Sequence, residues 1–161
     1  MRCVIARTSQ LHASLTQTTF IAVKPDGVNR RLVGKIIQRF EEKGFQLVAM
    51  KMIQPPRELV EEHYAEHKGK GFYNGLVDYL CGGPVVAMQW KGKGVIARSR
   101  AMMGATKDAA PGTIRGDFSI EVGRNLVHGS DCAEAAEREI KLWFGEDKIN
   151  YEDACEKWIY E

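Results

Sequence analysis

Four apolar runs of β character, Thr19–Val23, Phe45–Ile53, Pro84–Trp90 and Leu126–His128, alternate along the chain with segments whose apolar residues fall at helical spacing. A chain that switches repeatedly between these two periods must bury one stripe of each helix against a shared sheet, which confines it to layered architectures of helices on strands. Leu32, Val33, Ile36, Ile37 and Phe40 form such a stripe on a helix over Leu32–Phe45 that Gly44 stops. Pro55–Pro56 opens a second helix through Glu58, Leu59, Glu62 and Tyr64 to Lys68, Gly69–Lys70–Gly71 breaks it, and Phe72–Leu80 reads as a further short helix. Val95–Met103 and Cys132–Phe144 complete the helices; the last is ended by Gly145 and carries Glu134/Arg138 and Glu137/Lys141 as i,i+4 pairs on its wet side. Gly104–Asp117 reads as a long loop, a class that in compact domains is usually functional. The order β-α-β-α-β-α-β predicts an α+β fold, a split βαβ, ferredoxin-like antiparallel sheet covered by helices.

With 161 residues, 44% of them hydrophobic, the chain can bury one ordinary core, so one domain over residues 19–161 is expected. Its 23 basic and 21 acidic side chains leave +2, all of it from Arg2 and Arg7 in a leading segment with no acid. The remainder is neutral, which argues against a general nucleic-acid or anionic-membrane binder. No stretch approaches the ~20 apolar residues of a membrane span. Cys3, Cys81, Cys132 and Cys155 lie far apart without a Cys-x-x-Cys pair, so reduced thiols and a cytoplasmic protein are the simplest expectation. Residues 1–18 are read as an N-terminal extension; their Arg, Ser and Thr content without acids fits organelle targeting weakly and a disordered extension equally.

Asn125-Leu126-Val127-His128-Gly129-Ser130-Asp131 sets a histidine between an apolar pair and a glycine, just before an amphipathic helix. Alone, it reads as a packed histidine at a strand end. A neutral imidazole can also act as a nucleophile that carries a transferable group. Two further segments accompany it. Thr19-Phe20-Ile21-Ala22-Val23-Lys24-Pro25-Asp26-Gly27-Val28 is an apolar run that stops at a lysine, a proline and an Asp-Gly turn. Pro111-Gly112-Thr113-Ile114-Arg115-Gly116-Asp117-Phe118 puts a second cation on a glycine-rich turn. Together the three segments closely resemble the nucleoside diphosphate kinase family, and the resemblance runs from Thr19 to Glu161.

That resemblance implies a ping-pong phosphotransfer in which His128 takes the terminal phosphate of a nucleoside triphosphate and passes it to a nucleoside diphosphate. Lys24, Arg100 and Arg115 would neutralise the transferring group, as phosphoryl transfer requires. Mg²⁺ would ride on the nucleotide's phosphates rather than in a protein cage, which suits the lack of a carboxylate cluster. By matching position, Glu139 and Ser130 orient the imidazole, Tyr64, Lys24 and Thr106 meet phosphates, and Asn125 with Lys24 meets the ribose 3′-hydroxyl. Phe72 and Val122 would grip the base without reading its edge, and Leu76 would shape the lip of that clamp. The tail Trp158-Ile159-Tyr160-Glu161 resembles that of hexameric members and implies a homohexamer, a trimer of dimers. One departure bears on this: Gly104-Ala105-Thr106 reaches Pro111 through a loop two residues shorter than in many relatives.

Competing motifs are weaker. His63-Tyr64-Ala65-Glu66-His67 matches H-x-x-E-H, so a zinc metallopeptidase is the runner-up, although no third ligand singles itself out. The ordinary alternative for it is an exposed polar helix face. Gly92-Lys93-Gly94-Val95-Ile96-Ala97 fits a relaxed dinucleotide fingerprint, but Asp117 closes a turn instead of a second apolar strand. A nucleotide-binding scaffold without turnover would need a broken site, whereas Lys24, Tyr64, Arg100, Thr106, Arg115, Asn125, His128 and Glu139 are all present.

Overall fold

The structure is a computed structural model and describes residues 16–161. Its centre is a four-stranded sheet in the order β2-β3-β1-β4, built from β1 (Thr16–Val23), β2 (Gln46–Ile53), β3 (Val85–Lys93) and β4 (Val127–Gly129). Every pairing is antiparallel, and β1 runs against β3 from Thr16↔Lys93 to Val23↔Val86. The α+β expectation of an antiparallel sheet covered by helices therefore holds.

The two middle strands are covered on both faces, which is why they read as nearly continuous apolar runs. Ile21 and Val23 of β1 and Met88 and Trp90 of β3 face one core with α2 (Val33–Glu42), where Ile36 and Phe40 are buried. Phe20 and Ala22 with Val85 and Ala87 face the second core. That core is closed by α3 (Arg57–His63), α4 (Tyr73–Cys81) and α7 (Ala133–Phe144), through Val60, Val77 and Trp143. The outer strand β2 alternates instead and leaves Met50 and Met52 exposed.

Several local expectations are corrected. The segment after Lys24 is a short helix, α1 (Pro25–Asn29), because Pro25 occupies a first-turn position where its missing N–H costs nothing. The helix predicted to run to Lys68 stops at His63 and continues only as a 3-10 turn, Ala65–His67. After α5 (Val95–Met103), the long loop contains a further helix, α6 (Ile114–Phe118), capped where the Thr113 hydroxyl accepts the Gly116 N–H at 3.1 Å. Arg138 does not close the pair with Glu134: its guanidinium turns inward, with Nη1 3.5 Å from the His63 carbonyl and Nη2 4.0 Å from Glu139. The short α8 (Glu156–Ile159) lies at the tail, where the Tyr160 hydroxyl accepts the Lys93 N–H at 3.2 Å. Of the extension expected over residues 1–18, residues 16–18 belong to β1, and residues 1–15 lie outside the described residues.

Candidate active site

His128 is the middle residue of β4, paired with Ala22 of β1, and its side chain is 21% exposed. Its Nε2 lies 3.0 Å from Oε1 of Glu139, on the inner face of α7. A carboxylate only accepts, so Nε2 carries the ring proton and Nδ1 keeps the lone pair. The second carboxylate oxygen accepts the Ser130 hydroxyl at 2.7 Å, and Ser130 in turn accepts the Phe20 N–H at 3.3 Å. Burial alone would raise the Glu139 carboxyl; the His128 hydrogen bond and charge, His63 and the Ser130 hydroxyl outweigh it and hold the group below the usual carboxylate range. Glu139 is thus a buried, ionised acceptor.

His63, expected as half of an H-x-x-E-H pair or as an exposed polar position, instead lies beside His128. It is buried, and its Nδ1 accepts the Trp143 indole N–H at 3.1 Å, while its ring meets His128 edge-on with centroids 4.6 Å apart. Burial first, then the charge of His128, lower its pKa to about 3, so it is neutral with the proton on Nε2. The metallopeptidase reading fails here. His63 and His67 share no helical face, since α3 ends at His63, and His67 lies beside Lys70 with Nδ1 3.0 Å from Nζ. Ligand atoms of His63, His128 and Glu139 do lie within 4.8 Å of one another. Within it only His128 and Glu139 are at hydrogen-bond distance, His63 Nε2 lying 4.0 Å from Glu139 Oε1, and in these tautomers both Nε2 atoms carry protons instead of the lone pairs a metal would need.

Lys24 directly follows β1 and is buried; its Nζ donates to Asn125 Oδ1 at 2.6 Å. Burial, then the charge of Arg115, bring its pKa down to about 8 against the opposing carboxylate of Asp26. Arg115 leaves α6 to donate to three carbonyls, those of Gly104 at 2.7 Å, Val127 at 2.8 Å and Asn125 at 3.3 Å. Its guanidinium and that of Arg100 border a recess of about 240 Å³ with Thr106 on the wall, a cationic hollow with no carboxylate among its lining residues. Such a lining suits polyanionic phosphates and offers no oxygen cage to a divalent cation. Tyr64 stands edge-on to His128 at 6.0 Å between centroids, and burial pushes its phenol pKa up, so the hydroxyl stays protonated. Phe72 and Val122 are both exposed, while Leu76 packs against the second core.

The structure thus brings His128, Glu139, Ser130 and Tyr64 together, and links Lys24, Asn125 and Arg115 by hydrogen bonds. The contact of His63 with Trp143 and His128 had no sequence signal beyond the aromatic on the inner face of α7. A family model described as nucleoside diphosphate kinase matches residues 17–149. A nucleoside diphosphate kinase of Synechococcus sp. is 59% identical over 148 residues, covering 90% of this chain and 99% of that protein. Human nucleoside diphosphate kinase 3 is also 59% identical, over 90% of this chain and 88% of its own length. A halophilic nucleoside diphosphate kinase from Halobacterium salinarum, solved in complex with CDP, superposes with a TM-score of 0.88 at 47% identity, covering 90% and 99% of the two chains. Sequence and fold agree over nearly the whole length, and the chain belongs to the nucleoside diphosphate kinase family.

Proposed function

We propose that this nucleoside diphosphate kinase works through His128 Nδ1. The observation that carries the assignment is the 3.0 Å contact from Nε2 to Glu139, which commits the ring proton to one nitrogen and the lone pair to the other. Nδ1 attacks the terminal phosphorus of a nucleoside triphosphate, the N–P bond forms, and the P–O bond to the diphosphate breaks. A second nucleoside diphosphate then attacks the phosphohistidine through its terminal phosphate oxygen and the N–P bond breaks. The covalent intermediate makes the kinetics ping-pong.

Positive ring charge builds up on phosphorylation, and the ionised Glu139 carboxylate stabilises it while Ser130 fixes the carboxylate. Arg100, Arg115 and Thr106 take the phosphates, the neutral Tyr64 hydroxyl donates to the same group, and Lys24 with Asn125 binds the ribose 3′-hydroxyl. Phe72 stacks on the base opposite Val122, with Leu76 behind. Mg²⁺ enters on the nucleotide's phosphates as part of the substrate. The assembly is a homohexamer, a reading supported by the exposed Met50 and Met52 on the outer strand and Trp158 at the tail, apolar area of the kind buried between subunits. The free thiols of Cys81, Cys132 and Cys155 favour a reducing compartment such as the cytoplasm.

Incubation with γ-labelled ATP tests the site. An acid-labile, base-stable label that transfers to GDP is expected on the wild-type chain and absent from His128→Asn. A labelled His128→Asn protein overturns the assignment.

A further inference from the structure

Asp26 has no role in the transfer just described, yet both of its carboxylate oxygens are engaged. Oδ2 accepts the backbone N–H of Leu126 at 3.1 Å, a residue 100 positions away, and Oδ1 accepts the Tyr79 hydroxyl. Leu126 is held from its other side as well, because its carbonyl accepts the Lys24 N–H at 2.8 Å. The corner is strained: Leu126 adopts φ 68°, a left-handed conformation that a leucine takes only where its surroundings compel it.

The contacts around Asp26 supply that compulsion. A hydrogen bond to an ionised acceptor is among the stronger local restraints. Gly27 lets the segment lie close, since a Cβ there would be 2.7 Å from Val23 Cγ1 and 3.1 Å from the Leu126 carbonyl oxygen. On the outer side the Arg124 guanidinium sits 4.3 Å from the centroid of the Tyr79 ring. Arg115 brackets the same corner, bonding the carbonyls of Asn125 and Val127. Leu126 therefore separates two functional groups whose directions it decides: Asn125, whose side chain meets Lys24, and β4, which carries His128.

Resting on the phosphotransfer reading of His128, the geometry points to Asp26 as a positioning residue that fixes the Leu126 corner, so that Asn125 and His128 address one nucleotide. Asp26 touches no substrate; it acts through the Leu126 amide, and Tyr79 orients its carboxylate. Asp26→Asn keeps both bonds, since its amide oxygen accepts the Leu126 N–H and its amide nitrogen donates to the Tyr79 oxygen. Asp26→Ala keeps neither.

Single-turnover phosphorylation by γ-labelled ATP, with hydrogen-exchange mass spectrometry of a peptide covering residues 122–129, separates the cases. Asp26→Ala is expected to lose about 30- to 100-fold in phosphorylation rate, the scale of an ångström misplacement. Its 122–129 peptide should exchange faster while the unfolding midpoint is largely kept. Asp26→Asn should stay within about threefold of wild type in rate, because the same pair of bonds persists. A wild-type rate in Asp26→Ala, or equal losses in both variants, overturns the inference. Should Asp26→Ala not fold, Tyr79→Phe decides: slower phosphorylation with faster exchange supports the clamp, and no change in either overturns it. A wild-type chain that takes up no label instead overturns the kinase assignment of His128, and the exchange rates then still decide whether Asp26 holds the corner.

Discussion

Replacing Glu139 tests whether its charge or only its shape serves His128. The carboxylate is 4% exposed and bonds Nε2 at 3.0 Å, so little water screens it. An imidazolium charge spread over the ring sits about 4 Å from that oxygen, where two unit charges interact by about 4 kcal/mol at an effective dielectric near 20. With about half of the ring charge developed in the transition state, the difference made by the carboxylate is about 2 kcal/mol, or about 30-fold in rate. Glu139→Gln keeps an acceptor for Nε2–H and can donate to Ser130, so it should slow phosphorylation by about that factor. Glu139→Ala also strands the ring N–H and the Ser130 hydroxyl, costing about 2 kcal/mol more and bringing the loss to roughly 10³-fold. Rapid-quench phosphorylation by ATP measures both. A Gln variant as fast as wild type would refute the role of the charge, and an Ala variant as fast as wild type would refute any role of Glu139.

Other expectations follow from the same site. Lys24, with its pKa near 8, loses its charge as pH rises, so nucleotide affinity measured by calorimetry should fall above pH 8; stability of the free protein should rise between pH 8 and 10.5, where the unfolded chain binds the extra proton. Unchanged affinity in strongly alkaline buffer contradicts the first and a flat unfolding midpoint the second. His63, neutral down to about pH 3, makes stability fall as pH drops from 6.5, because only the unfolded chain takes the proton. His63→Asn, whose amide oxygen can still accept from Trp143, should flatten that acid limb in urea titrations and keep phosphotransfer; an unchanged limb contradicts the assignment. Phe72→Ala should weaken every nucleotide alike, by about 1–3 kcal/mol of lost stacking, and a loss confined to purines or pyrimidines points to a base-specific reader. Light scattering at micromolar concentration should report six chains, with smaller species on dilution in mild urea if the shortened loop weakens the assembly; a tetramer or monomer without denaturant counts against the hexamer.

Strands and helices were legible wherever burial and period agree. β1 and β3 are covered on both faces and read as apolar runs, and α2 and α7 present clear stripes. Short elements were not legible, because fewer than two turns carry no period: α1 looked like an Asp-Gly turn and α6 like loop. His128, Lys24 and Arg115 could be singled out only because each lies in a segment matching one family. Glu139 was singled out by its position relative to the family, and its pairing with Ser130 depends on where β1 and β4 meet. His63 reads in the sequence as a zinc ligand of H-x-x-E-H or an exposed polar position, because nothing local shows that Trp143 covers it. Asp26 likewise gave no local signal, its partners lying 53 and 100 residues away.

The site carries three costs that a core chosen for stability alone would avoid. Lowering the Lys24 pKa from 10.5 to about 8 corresponds to roughly 3 kcal/mol against the charged form, and a left-handed leucine at 126 costs about 1–2 kcal/mol. The third is the burial of an ionised carboxylate at Glu139. Such features persist only where the framework over-determines them, and here one framework serves all three. β1 leads directly into Lys24, pairs with β4 that carries His128, and supplies the Phe20 N–H that holds Ser130 against Glu139. Because β1 is one of the two middle strands, buried on both faces, the buried lysine, the strained corner and the carboxylate are all referred to a single buried element. Arg100 and Thr106, proposed to meet phosphates, and Phe72 and Val122, proposed to grip the base, are exposed by contrast, so the proposed site has a buried centre at His128–Glu139 and a more open rim. A rim of that kind can accept different bases without disturbing the His128–Glu139 geometry, the property that one catalyst serving several nucleoside diphosphates requires.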